Sequence, residues 1–216
     1  MPTVELVHRV QIPPEAGPNQ PVPAVVMVHG WLGDETVMGI FKQTVPPGVA
    51  VISPRAPLPV NGEGYAWYWR DQGGLQPETD SLWAGRDQLQ AFLAGLPQQY
   101  PLDPRRIVLM GFSQGAAICN TLVLTRPGQV MGVVSLAGLI PDAVIETAQP
   151  DLAGLPVFIA HGVRDETVPL ASAQQSRDIY TRLGAQVTYD EYPTGHKLTT
   201  QGMADLKAWL ANVVKQ

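Results

Sequence analysis

Residues 108–117, VLMGFSQGAA, decide the fold of this 216-residue chain. Apolar residues 107–110 predict a short buried strand, and residues 116–125 predict a helix. Between them lies a Gly-x-Ser-x-Gly motif centred on Ser113, and this motif between a strand and a helix is typical of a nucleophile elbow. The two glycines leave room for a sharp, strained turn. The helix that follows directs its first N–H groups toward the serine, where negative charge would develop during catalysis.

The rest of the chain alternates buried strands with helices. Strands are predicted at residues 4–11 (an edge strand), 22–29, 49–53, 107–110, 130–137, 157–160 and 186–192, and helices at 35–45, 80–96, 116–125, 170–183 and 199–214. This order predicts an α/β fold, with a mostly parallel central sheet and helices on both faces. We expect one domain over residues 1–216, without a large cap domain. In such sheets the functional loops follow the carboxyl ends of the strands.

Composition argues against several function classes. A net charge of −5 without any basic run argues against a nucleic-acid partner. No apolar run approaches the ~20 residues that a membrane span needs, and we find no signal-peptide pattern at the N-terminus, so a cytoplasmic protein is expected. The chain lacks HExxH, CxxC and dinucleotide-binding glycine motifs, so no metal or organic cofactor is expected. The sequence fits a monomer or a homodimer equally well.

A nucleophilic serine needs a base, and the chain has four histidines. His8 lies in the first predicted strand, far from the carboxyl-end loops. His29 and His161 each end a buried strand and precede a glycine, which is typical of a structural histidine that steadies a loop. His196 lies in the loop after the last strand and is therefore the best candidate for the base.

The acid that orients the base is expected between the nucleophile and the histidine in chain order. Asp165 is preferred because it follows the buried strand at 157–160 by a few residues. Asp190 and Glu191 in the last strand, and Glu166 beside the preferred residue, are the alternatives.

The oxyanion hole requires two backbone N–H groups. One is predicted at Gln114, directly after the nucleophile. The other is predicted in the loop at residues 29–34, where Trp31 is the first choice and Leu32 the alternative.

Five motifs, in this order along the chain, resemble one known family. They are HGWLGD at 29–34, PRAP at 54–57 before a Trp-bearing loop, GFSQGA at 111–116, HGVRDETVP at 161–169 and GH at 195–196. The set resembles the phospholipase/carboxylesterase family of α/β-hydrolases, which includes the acyl-protein thioesterases and small bacterial carboxylesterases. The resemblance covers essentially the whole chain and implies an α/β-hydrolase fold.

Carried over to this chain, the resemblance implies the catalytic triad Ser113, Asp165 and His196. It also implies that the loop around Trp67 to Trp69, here called the aromatic loop, helps to line the acyl site through Trp67 and Trp69. The sequence departs from the family at two places: HGWLGD replaces the HGLGD of the thioesterases, and Arg55 replaces a histidine in PRAP.

Together these inferences predict a serine esterase that acts on a small acyl ester through an acyl-Ser113 intermediate. The aromatic loop predicts an apolar acyl group of short to medium length. An acyl-protein thioesterase or a lysophospholipase is the alternative within enzymes; a peptidase is disfavoured because the connection at 58–80 is too short for a cap domain. A non-catalytic binding protein of the same fold is the alternative outside enzymes, but such proteins usually lack a triad residue.

Overall fold

The computed structural model describes residues 5–71, 74–147 and 150–215. Residue 4 of the predicted edge strand, residues 72–73 of the predicted connection 58–80, and residues 148–149 of the Pro-bearing stretch before the strand at 157–160 lie outside them. Within the described residues, seven strands form one sheet: β1 (His8–Gln11), β2 (Val22–Val28), β3 (Ala50–Pro54), β6 (Leu102–Phe112), β7 (Gly132–Leu136), β8 (Pro156–Gly162) and β9 (Gln186–Tyr192). Their order across the sheet is β1-β3-β2-β6-β7-β8-β9.

Only edge strand β1 runs antiparallel to its neighbour, and the other described pairings of this sheet are parallel. Strands β2, β3, β7 and β8 are buried along their whole length. Their apolar runs are explained by this burial, because both faces of a parallel sheet are covered by helices. The predicted α/β fold with a mostly parallel sheet is therefore confirmed.

Helices cover the two faces of the sheet and form two apolar layers. They are α1 (Thr79–Gln99), α2 (Gln114–Thr125), α3 (Asp142–Thr147), α4 (Leu170–Arg182), α5 (Thr200–Val213) and a 3₁₀ helix (Val37–Thr44). Alternate residues of β2 point into the two apolar layers: Val26 packs in the layer with α1 and α2, whereas Met27 packs in the layer with the 3₁₀ helix and α5. Each fully buried apolar side chain contributes about 1.5–3 kcal/mol to stability. A shift of the strand by one residue would exchange the two faces, so the alternation of side chains between them fixes the strand register.

The structure differs from the sequence prediction in three connections. The predicted helix at 35–45 is a 3₁₀ helix, and the connection at 58–80 contains a hairpin of β4 (Leu58–Val60) and β5 (Gly64–Ala66). The helix predicted to begin at residue 80 begins at Thr79, after Glu78, and has no side-chain cap. The hydroxyl of Ser81 in its first turn accepts a hydrogen bond from the backbone N–H of Trp69 and so anchors the aromatic loop.

The parallel strands end at one common edge of the sheet. The loops after β2, β6, β8 and β9 therefore meet there, and they carry the four sequence motifs at 29–34, 111–116, 161–169 and 195–196. The fold thus brings together residues that are up to about 170 positions apart in the sequence.

Candidate active site

Ser113 lies on a strained turn between β6 and α2. Its φ of +54° and ψ of −119° are unusual for a residue with a side chain. A Cβ on Gly111 would lie 2.3 Å from the carbonyl oxygen of Gly115, and a Cβ on Gly115 would lie 2.1 Å from that of Val28. Both glycines of the motif are therefore required by close backbone contacts, as the elbow geometry predicts.

The loop after β2 passes directly against this turn. A Cβ on Gly30 would lie 3.2 Å from both the carbonyl oxygen of Phe112 and the Cβ of Ser113. On the other side, the N–H of Ser113 donates to the carbonyl of Leu136 at 2.9 Å. The serine is thus held between the ends of β2 and β7, at the carboxyl edge of the sheet.

Asp165 and His196 are brought together by the loops after β8 and β9. A Cβ on Gly162 would lie 2.2 Å from the carbonyl oxygen of Gly195, so the two loops are in close contact. The carboxylate Oδ2 of Asp165 lies 2.7 Å from Nδ1 of His196. The Asp165 side chain is fully buried, whereas that of His196 is about a quarter exposed.

The Asp165 carboxyl is surrounded by donors. Burial alone would raise its pKa, but hydrogen bonds from the N–H of Val168, from His196 and from the N–H of Thr167 outweigh burial and lower the pKa. Both N–H groups donate to Oδ1 at 2.9 Å, which leaves Oδ2 for the imidazole. Asp165 is therefore ionised at neutral pH and can hold His196 with Nδ1 protonated and Nε2 free to act as a base.

The alternative acids are placed differently. Glu191 is exposed and accepts hydrogen bonds from Tyr189 and from Gln174 of α4, at 2.7 and 3.1 Å. Burial raises the pKa of Asp190, which disfavours its ionised form. Asp165 is the candidate acid that contacts a cavity-lining histidine.

His29 and His161 have structural contacts. The Nε2 of His29 accepts from the N–H of Ala56 at 2.9 Å, so its Nδ1 carries the proton and donates to the carbonyl of Gly30 at 2.7 Å. Burial lowers the pKa of His29, which keeps the ring neutral. The Nε2 of His161 lies 2.8 Å from the carbonyl oxygen of Val168 and 3.4 Å from Asp165. Both histidines steady the loops that carry the site.

The residues predicted to supply the oxyanion N–H groups lie beside Ser113. Gly33 donates to the carbonyl of Gly30 at 3.1 Å, and Leu32 between them has a φ of +62°, so residues 30–33 form a tight turn. Trp31 and Leu32 line a cavity together with Ser113. Gln114 begins α2, so its N–H is one of the first N–H groups of the helix, which have no partner within it.

The two predicted substrate-contacting tryptophans lie outside the cavity lining. Trp67 is fully buried, and its indole Nε1 donates to the carbonyl of His29 at 3.0 Å. The backbone N–H of Trp67 donates to the side-chain oxygen Oε1 of Gln114 at 2.9 Å. Trp69 is 38% exposed, and its ring packs edge-on against Trp31, with centroids 6.2 Å apart. This placement favours a supporting role, in which both residues hold the loops that form the site.

A cavity of about 890 Å³ opens beside Ser113 and His196. Its apolar wall comes mainly from the 3₁₀ helix and from the segment around the start of α5, and consists of Val37, Met38, Ile40, Phe41, Leu198 and Met203. Sequence reasoning missed this wall. The available signal was an apolar segment directly after the loop at 29–34, which the order of elements already placed at the functional edge.

The described residues contain no cluster of three or more His, Cys, Asp or Glu side chains that could ligate a metal ion. Over the same residues, no helix combines the length and the apolar character needed to cross a membrane.

The comparison with known proteins identifies the family of this chain. A sequence model of the phospholipase/carboxylesterase family matches residues 11–214. The chain belongs to the phospholipase/carboxylesterase family. This membership makes it a hydrolase of the esterase class, and small esters are the substrates that the family implies.

Three relatives illustrate how this family member compares with known proteins. It is 31% identical to acyl-protein thioesterase 1 of Aspergillus fumigatus over 88% of this chain and 87% of the relative. The structure of a Bacillus cereus carboxylesterase superposes with a TM-score of 0.85 at 25% identity, over 96% and 94% of the two chains. A carboxylesterase from Mesorhizobium loti superposes with a TM-score of 0.78 at 26% identity, over 88% of each chain. The α/β-hydrolase fold is therefore shared over the full length.

Proposed function

We propose that this protein is a serine carboxylesterase that hydrolyses short- to medium-chain acyl esters through an acyl-Ser113 intermediate. The proposal depends above all on one arrangement: Ser113, strained at a positive φ, faces the same cavity as His196, whose Nδ1 lies 2.7 Å from Asp165. The chain order of nucleophile, orienting acid and base is typical of the fold.

In this mechanism, Nε2 of His196 takes the proton of the Ser113 hydroxyl as its oxygen attacks the acyl carbonyl. The carboxylate of Asp165 stabilises the imidazolium that forms. Backbone N–H groups of Gln114 and of Trp31 or Leu32 bind the oxyanion. His196 then protonates the leaving alcohol, and afterwards it activates the water that hydrolyses the acyl-enzyme.

The cavity supports an apolar acyl group. Its volume of about 890 Å³ lies within the usual range of small-molecule sites, roughly 300–1,000 Å³. The wall formed by the 3₁₀ helix, with Met38 and Phe41, offers a surface for an alkyl chain next to Ser113. The acyl chain therefore lies along this helix, and Trp67 and Trp69 act behind it.

The test compares the hydrolysis of p-nitrophenyl acetate, butyrate and octanoate by the wild type and by Ser113→Ala. Ser172→Ala on α4 is the matched control, because it removes a hydroxyl outside the cavity. We expect kcat to fall by about 10⁴-fold or more in Ser113→Ala and to stay unchanged in the control. Activity that survives in Ser113→Ala would exclude Ser113 as the nucleophile.

A thioesterase is the second candidate function. It is favoured by the 31% identity to a relative that is named an acyl-protein thioesterase. The same triad can attack either bond, so the discrimination is kinetic. Matched octanoyl esters of p-nitrophenol and of N-acetylcysteamine separate the two candidates: a kcat/KM that is higher for the thioester, in spite of its poorer leaving group, would identify a thioesterase.

A further inference from the structure

The cavity beside Ser113 carries positive charge. Its described lining residues include Arg70 and Lys197 but no aspartate or glutamate. The whole chain has a net charge of −5, so this local excess of cations is opposite in sign to the protein. A site of this kind attracts negatively charged ligands.

Arg70 lies close to the nucleophile. It lines the large cavity and also a small adjoining pocket of about 30 Å³. Ser113 and Trp31 line both spaces as well. The guanidinium carbon of Arg70 lies 4.5 Å from the centroid of the Trp31 ring. The charge is thus placed where the two spaces meet.

The position of Arg70 is fixed on two sides. Its backbone forms an antiparallel bridge with Pro77, and the neighbouring Trp69 donates its N–H to Ser81 at 2.8 Å. The Trp31 ring on which the guanidinium stacks is supported in turn by Trp69. A guanidinium held by one face on an indole keeps its N–H edge free for a planar anion.

Unlike three arginines elsewhere in the chain, Arg70 forms no ion pair with a described carboxylate. Arg55, Arg86 and Arg177 each contact a carboxylate at 2.6–2.7 Å. In the part of the chain that the structure describes, Arg70 has no carboxylate within 4.0 Å. Its charge is therefore available to a ligand.

We propose that Arg70 binds an anionic group of the substrate, a carboxylate or a phosphate, so that the preferred substrates are esters with a negative charge near the scissile bond. This inference rests on the proposed esterase function and adds a substrate class to it. The apolar part of such an ester lies against the 3₁₀ helix, while its charged group forms hydrogen bonds with the guanidinium fork.

The experiment measures kcat/KM for matched charged and neutral esters. The first pair, p-nitrophenyl hydrogen adipate and p-nitrophenyl methyl adipate, places the charge on the acyl side. On the alcohol side, 4-acetoxybenzoate and 4-acetoxyphenyl phosphate are compared with methyl 4-acetoxybenzoate. Each ester is tested with the wild type, Arg70→Met, Arg70→Lys and Arg105→Met. Arg105 is the matched control, because its side chain is 88% exposed at the start of β6, at the opposite end of the sheet.

We expect the wild type to prefer the charged member of at least one pair by about tenfold, the size of one partly exposed charge-assisted hydrogen bond. Arg70→Met should abolish this preference, Arg70→Lys should retain part of it, and Arg105→Met should retain all of it. Added salt should weaken the preference, because the guanidinium is exposed to solvent.

A wild type without any preference, or a preference that is unchanged in Arg70→Met, would overturn this inference and leave the esterase proposal intact. A wild type that hydrolyses neither the neutral nor the charged esters, and that does not react with a fluorophosphonate, would overturn the proposed function and this inference with it. The two failures are therefore distinguishable.

Discussion

Replacing Trp67 by phenylalanine separates a supporting role of this residue from direct contact with substrate. The substitution keeps an aromatic ring but removes Nε1, which donates to the carbonyl of His29 at 3.0 Å. His29 is buried, and it is the first residue of the loop at 29–34 that carries the predicted oxyanion donors. The variant therefore tests whether the geometry of that loop depends on a hydrogen bond from the aromatic loop.

The size of the effect follows from the burial of the bond. An unsatisfied buried acceptor costs about 1–3 kcal/mol, and the smaller ring leaves a space that adds to this cost. We expect a loss of about 2–3 kcal/mol in unfolding free energy, which lowers Tm by roughly 4–12 °C in a protein of this size. A displaced oxyanion loop should lower kcat by about 3–30-fold, less than the roughly 10²–10³-fold that follows from losing a donor.

Thermal unfolding and the p-nitrophenyl ester series measure both effects. Trp209→Phe is the matched control, because Trp209 packs against Phe158 away from the cavity, so it should lower Tm but leave kcat unchanged. In Trp67→Phe the rates for all chain lengths should fall by the same factor. An unchanged Tm combined with an altered ranking of acetate, butyrate and octanoate would refute the supporting role and favour direct contact with the acyl chain.

Three further predictions follow from the site. Gly115→Ala places a Cβ 2.1 Å from a backbone carbonyl oxygen, so it should abolish activity and lower Tm. Gly17→Ala is the control, because Gly17 has open space around it, and it should change neither activity nor Tm. An active Gly115→Ala variant would contradict the elbow geometry. Asp165→Asn should lower kcat by about 10⁴-fold because the imidazole loses the carboxylate that selects its tautomer, and a kcat within tenfold of the wild type would exclude this residue as the acid. Burial lowers the pKa of His29 below its ordinary value of 6.5, so the unfolded chain binds a proton that the folded protein does not, and stability should fall with decreasing pH below about 6.5. His29→Gln should flatten this fall in a series of Tm measurements from about pH 7 to pH 5, and an equally steep fall in the variant would exclude His29 as its source.

The elbow and the sheet could be predicted from the sequence because their causes are local. Four apolar residues before a Gly-x-Ser-x-Gly motif specify a buried strand and a strained turn, and the positive φ of Ser113 agrees with the predicted strain. The pairing of Asp165 with His196 was also predictable, because parallel strands end at one edge and chain order limits the candidates. The close approach of the loops at Gly162 shows how the fold realises this pairing.

The placement of the aromatic loop could not be predicted, because its causes are distant in the sequence. A cluster of tryptophans has the same composition whether it packs inward or lines a cavity. The direction of Trp67 is set by the carbonyl of His29, 38 residues before it, and by the side chain of Gln114, 47 residues after it. Ile40 on the 3₁₀ helix is 65% exposed, and only the three-dimensional structure shows that it lies on the cavity wall.

The most direct test is to label the wild type with a fluorophosphonate and to locate the adduct by peptide mass spectrometry. We predict a single adduct on Ser113, formed more slowly in His196→Ala and not formed in Ser113→Ala. An adduct on another residue, or an unlabelled wild type, would contradict the assignment of Ser113 as an activated nucleophile.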